Sequence, residues 1–138
     1  MLKKIDHFGV AVHGIEKALG VYRDGLGLEV GSVEEVPEEG VRVAFLPIGE
    51  TRLELLEPTN ESSPIARFLK KRGEGLHHVC FQVDELEKRI PDLRSRGLEL
   101  LPGYPREGAE GERVAFFHPR STGGVLIELR EKGGGGSA

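Results

Sequence analysis

Four residues carry the chemistry that this sequence offers: His7, Glu54, His78 and Glu128. His7 sits in IDHFGVAV, where Phe8, Val10 and Val12 alternate with His7, Gly9 and Ala11. His78 sits in LHHVCFQV, where Val79, Phe81 and Val83 alternate with His78, Cys80 and Gln82. In each segment one face is large and apolar, while the other sets a histidine among smaller or polar residues, which leaves room rather than a packed layer. Glu54 and Glu128 lie within apolar runs, Arg52 to Leu56 and Leu126 to Leu129. An ionised carboxylate is not kept among such residues without a cation or donors to compensate it. A lone strand histidine or glutamate of this kind reads as structural, but here both recur at equivalent places. A two-histidine, two-carboxylate set suits a divalent Co, Ni, Mn, Fe or Zn ion and leaves two octahedral positions open for water or substrate.

The elements that must position these residues form an internal duplication. Ile5 to Leu19 aligns with Leu76 to Ile90 at a constant spacing of 71 residues, so that His7 meets His78, Val12 meets Val83 and Glu16-Lys17 meets Glu87-Lys88. Gly27-Leu28-Glu29 then matches Gly97-Leu98-Glu99, and Leu53 to Pro58 matches Ile127 to Lys132 with Glu54 opposite Glu128. Alternation predicts a strand over Ile5 to Val12. Ile15, Leu19, Tyr22 and Leu26 recur at helical spacing, with Gly27 able to end that helix. Strands follow at Leu28 to Val36, Val41 to Pro47 and Arg52 to Leu56, separated by turns at Pro37 to Gly40 and Gly49-Glu50. The second copy predicts a strand at Leu76 to Val83 and a helix at Glu85 to Ser95. Its remaining strands fall near Leu98 to Leu101, Arg113 to Phe117 and Val125 to Arg130. Ser63-Pro64 opens a short connecting helix through Lys71. The expected fold is α+β, a tandem of βαβββ units at about 4–58 and 75–131 joined by a helix at about 63–72. A pseudo-two-fold relation between the copies would bring both His–Glu pairs to one cleft in a partly closed mixed sheet.

Composition narrows the function classes. The chain of 138 residues has 38% hydrophobic and 30% charged residues and a formal charge of −4, which excludes the clustered basic face of a nucleic-acid binder. Lys70, Lys71 and Arg72 read as the solvated end of a helix. The single cysteine, Cys80, excludes an internal disulfide and a Cys-based zinc cluster. Cys80 reads as a small buried thiol. His77 points away from the His78 face and reads as structural, His13 as exposed, and His118 as shaping the turn before Pro119. Gly123-Gly124 is too short for a phosphate loop. No apolar run reaches bilayer length and no signal peptide is visible, so a cytoplasmic location is expected. Gly133 to Ala138 (GGGGSA) reads as a flexible linker outside the single domain of residues 1–132. Scarcity of Asn and Gln beside abundant Glu, Lys and Arg suits a thermophilic source.

On these residues the chain resembles the vicinal-oxygen-chelate (glyoxalase) superfamily, and within it the methylmalonyl-CoA epimerases. Carrying stretches are IDHFGVAV, PEEGVRVAFLPIG (Pro37 to Gly49), ELLEP (Glu54 to Pro58), SPIARFLKKRGEGLHH (Ser63 to His78) and FHPRSTGGVLIEL (Phe117 to Leu129). The resemblance implies paired βαβββ modules with one metal, held here by His7, Glu54, His78 and Glu128. It implies Co2+ as the first choice, with Mn2+, Ni2+, Zn2+ or Mg2+ as alternatives. It further implies an acyl-CoA substrate and metal-assisted proton transfer at C2 between the (2R) and (2S) forms, with Glu128 as one proton-transfer group. Some members place a second glutamate base where this chain has Val43, so Glu54 or a water molecule is left for the opposite face. Some members also carry Gln at the place of Glu54. A homodimer is expected. The alternatives are a glyoxalase I-type lyase acting on a glutathione hemithioacetal and a non-catalytic small-molecule binder; retention of all four ligand-type residues disfavours the binder.

Overall fold

The computed structural model describes residues 1–108 and 110–132; the linker expectation for 133–138 lies outside them. Chain contacts divide into two compact units, one of His7–His77 and one of Met1–Asp6 with the chain from His78 onward.

The first unit contains the second half of strand β1 (Leu2–Ala11), helix α1 (Ile15–Leu19), and strands β2 (Ser32–Val36), β3 (Val41–Ile48) and β4 (Thr51–Pro58). Its strands pair in the order β2-β3-β4-β1. β1 and β4 run parallel with Gly9 opposite Glu54, while β3 and β4 run antiparallel with Phe45 opposite Glu54. Side chains alternate as a strand requires. Val10, Val12 and Leu55 form one buried cluster with Ile15 and Leu19 of α1. On the other face Ala11, Val41, Val43 and Leu56 pack with Ile65 and Leu69 of helix α2 (Pro64–Arg72). Ser63 caps α2, its hydroxyl accepting from the Ala66 amide at 3.0 Å. The turn between β2 and β3 needs Gly40, which has φ +65° and a hypothetical Cβ only 2.7 Å from the Ser63 side chain.

The second unit repeats this plan with strands β5 (Gly75–Val83), β6 (Arg106–Glu107), β7 (Arg113–Phe117) and β8 (Ile127–Glu131) and helix α3 (Leu86–Ser95). Its strands pair in the order β5-β8-β7-β6. β5 and β8 run parallel with Cys80 opposite Glu128, and β7 and β8 antiparallel with Phe116 opposite Glu128. Val83, Leu86, Ile90, Leu93, Phe117 and Leu129 form its helix-side core. Each fully buried Leu, Ile, Val or Phe of these clusters contributes about 1.5–3 kcal/mol relative to exposure.

Three expectations change in detail. The first helix continues past Leu19 as a wide π-type turn over Gly20–Gly25, closed by Leu26 N–H donating to the Val21 carbonyl at 2.9 Å. The strand expected over Leu28 to Val36 begins only at Ser32, although Leu28 and Val30 still pack on the core. Leu98 to Leu101 is not a strand: Leu100 makes an isolated bridge to Phe117, and β6 forms later, at Arg106–Glu107. Pro102 and Pro105, which have no amide hydrogen to give, and Gly103 at φ +85° break the alternation that the apolar pattern suggested.

Candidate metal centre

Each unit brings one histidine and one glutamate of the expected set into contact. His7 on β1 lies with Nδ1 3.3 Å from Oε2 of Glu54 on β4. His78 on β5 lies with Nε2 3.2 Å from Oε1 of Glu128 on β8. All four are buried, at 4%, 7%, 8% and 9% exposure for His7, Glu54, His78 and Glu128. Two ligand atoms that each sit about 2.0–2.2 Å from one ion are roughly 3–3.4 Å apart, so both pairs have the spacing of adjacent ligands. The donor types fit a borderline divalent metal.

The duplicated scaffold explains why these side chains meet. Parallel pairing puts the small residues Gly9 and Cys80 beside Glu54 and Glu128 on the neighbouring strand. Antiparallel pairing puts Phe45 and Phe116 on the other side, so each carboxylate has an aromatic ring as its cross-strand neighbour. The Phe116 ring meets the His78 ring edge to face at 5.8 Å. These phenylalanines were not singled out from sequence, although Val43-Ala44-Phe45 and Val114-Ala115-Phe116 repeat at the same spacing of 71. A second pair of glutamates was also missed. Glu57 accepts from the Ile15 amide at 2.8 Å, and Glu131 from the Leu86 amide at 2.9 Å. Each lies three residues beyond a ligand-type glutamate, on the opposite strand face, and satisfies an amide at the start of the module's helix.

The pairs differ in their surroundings. Glu54 Oε2 also accepts from Arg52 Nε at 2.7 Å, and the Arg52 guanidinium lies over the Phe45 ring at 5.1 Å. At the matching place, two residues before Glu128, stands Leu126. Beyond Glu128 the same strand face carries Arg130, buried with both Asp6 oxygens at 3.1 Å from its Nη1 and Glu110 Oε1 at 2.6 Å from its Nη2. Arg130 Nε lies 3.6 Å from Glu112 Oε2 and has no hydrogen-bond acceptor among the described residues. Burial works against the Arg130 cation, but Asp6, Glu112 and Glu110 outweigh it and hold its pKa above the ordinary value. Gly108 makes room for Glu112, because a Cβ there would overlap that carboxylate.

The remaining expected residues fall where the sequence put them. Cys80 is fully buried, His13 is exposed, and the His77 ring packs on Phe68 at 4.9 Å. His118 shapes its turn, with Nδ1 accepting from the Arg120 amide at 3.1 Å. Val43 is buried in the apolar cluster with Leu56 and Ile65. None of the described helices is long and apolar enough to cross a membrane.

The model of the glyoxalase/bleomycin resistance protein/dioxygenase superfamily matches residues 6–116. The chain belongs to that superfamily. Within the superfamily it is similar to the mitochondrial methylmalonyl-CoA epimerase of Bos taurus, with 44% identity over 94% of this chain and 75% of that one. It is similar also to the ethylmalonyl-CoA/methylmalonyl-CoA epimerase of Cereibacter sphaeroides, with 39% identity over 95% of this chain and 99% of that one. A solved methylmalonyl-CoA epimerase in complex with methylmalonyl-CoA and NH4+ has a TM-score of 0.86, with 39% identity and coverage of 95% of both chains. The superfamily's fold is thus the one that the duplication foretold.

Proposed function

We propose that the protein is a methylmalonyl-CoA epimerase, an isomerase that exchanges the proton at C2 of an acyl-CoA thioester between its two faces. The observation that carries this reading is the repetition of one buried His–Glu contact in each module, at 3.3 Å and 3.2 Å, in a chain with about 40% identity to named epimerases. His7, Glu54, His78 and Glu128 together hold one divalent ion, Co2+ being the first choice that the resemblance to the epimerases implies. When bound, that ion supplies Lewis acidity toward the thioester and carboxylate oxygens that flank C2, worth several kcal/mol to the enolate.

The chain's own residues supply orientation and proton transfer. His7 and His78 act as neutral ligands. Glu128 takes and returns the C2 proton on one face as well as holding the ion, and Glu54 is assigned the opposite face. Valine at both Val43 and Val114 keeps the equivalent β3 and β7 positions free of a further base. Phe45 and Phe116 exclude water beside the two glutamates, which strengthens their electrostatic effect.

The test is deuterium entry at C2 in heavy water, with metal content measured alongside. Glu128→Gln is expected to lower exchange by about 10²–10⁴-fold while ion stays bound. Full-rate exchange with metal retained would remove Glu128 from its role. A hemithioacetal control decides against a lyase: turnover of that substrate in preference to methylmalonyl-CoA would overturn the epimerase reading.

A further inference from the structure

We infer that Arg52 is a positioning residue of the metal centre, which holds Glu54 in its ligating orientation and offsets its charge. This rests on the assignment of Glu54 as a ligand given above. The oxygen of Glu54 that faces His7 at 3.3 Å is the same oxygen, Oε2, that accepts from Arg52 Nε at 2.7 Å. A carboxylate oxygen has lone pairs for both a guanidinium N–H and a cation, and a charge-assisted bond of this length is among the strong ones. Residues 52 and 54 share a strand face by the two-residue repeat, so the bond needs no backbone distortion. The guanidinium lies over the Phe45 ring of the adjacent strand at 5.1 Å, with Phe45 directly opposite Glu54 in register. Two glutamates would cancel the charge of a divalent ion, whereas Arg52 restores a net positive charge next to an anionic substrate. Leu126 stands at the matching place in the second module, so the strand neighbour of Glu54 is not repeated there. That asymmetry leaves Glu128 the carboxylate without an arginine two residues before it on its strand.

The experiment is a double-mutant cycle on the full chain stripped of metal. It reads Co2+ binding by calorimetry and the visible spectrum of the bound cobalt. Circular dichroism melts confirm that each variant is folded. Arg52→Met is expected to weaken Co2+ binding by about 10–100-fold and to shift the spectrum, because the lost orientation of the ligating carboxylate outweighs the relief of charge repulsion. In a Glu54→Ala background the same substitution should change affinity less than about threefold, because the oxygen on which Arg52 acts is gone. Arg52→Lys, which keeps the cation, should recover most of the affinity. Unchanged affinity and spectrum in Arg52→Met, or an equal loss in both backgrounds, would overturn the role of Arg52 while leaving the ligand set standing. If Glu54→Ala alone alters neither readout, Glu54 is not a ligand and the inference falls with it.

Discussion

Two residues beyond its ligand-type glutamate, the first module places Leu56 and the second places Arg130, and the ligand face of each module is closed accordingly. Leu56 joins Val41, Val43, Ala11, Ile65 and Leu69 in an apolar plug under α2. Arg130 instead gathers Asp6, Glu110 and Glu112 into a buried ionic knot. The helix side and the His–Glu contact are repeated closely, as are the helix-capping Glu57 and Glu131, while this neighbouring volume is filled by opposite chemistry. An apolar plug draws its stability from area and tolerates rearrangement. An ionic knot adds little net stability against apolar residues of the same shape, yet it is intolerant of losing one member, since the others stay buried without compensation. The duplicated fold therefore constrains where the ligands stand more tightly than how the space beside them is filled.

This contrast can be broken by substitution. Arg130→Met, which makes the second module more like the first, is expected to destabilise the fold by about 3–5 kcal/mol, because Asp6 and Glu112 lose their cation inside. Urea titration at neutral pH measures it, and adding Asp6→Asn to that variant should return part of the loss. Leu56→Ala in the first module should cost about 2–5 kcal/mol by opening a cavity. Unlike Arg130→Met, its cost should not change when a neighbouring carboxylate is neutralised. Glu57→Ala and Glu131→Ala should each cost about 1 kcal/mol, equal within error, as removal of a helix-start acceptor does. Unequal costs would show that the modules differ on the helix side as well.

The smallest effect lies on the surface. Glu99 is held below the ordinary carboxylate range by the hydrogen bond from Arg120. Its folded form binds a proton at lower pH than the unfolded chain does, so its stabilising effect is complete at neutral pH and is lost as pH falls through the lowered value. Arg120→Ala should remove that effect. Parent and variant melts should differ slightly at neutral pH and coincide once both carboxyls are protonated, a small effect because the pair is exposed.

The outer architecture was legible because it is written in periodicity and in repetition. The strands of Ile5 to Val12 and Leu76 to Val83 and the four ligand-type residues all follow from residue type at matched spacing. Phe45 and Phe116 recur in the repeated Val-Ala-Phe but carry no polar group that marks them as part of a site. Arg52 and Arg130 were harder. An arginine within a strand reads as solvated, and nothing local shows that Asp6, Glu110 and Glu112 converge on Arg130 from far along the chain. Pairing after Leu98 was misplaced because apolar content marks burial, whereas prolines decide which backbone amides remain to pair.

One consequence follows from the spacing between Glu54 and Glu57, and between Glu128 and Glu131. An odd step along a strand places one carboxylate on the ligand face and the other on the helix face, so a one-residue slip of β4 or β8 would displace both together. The amides of Ile15 and Leu86 are therefore natural gauges of site integrity. Their rates of exchange with solvent deuterium should report, module by module and without any substrate, whether each half of the centre is assembled.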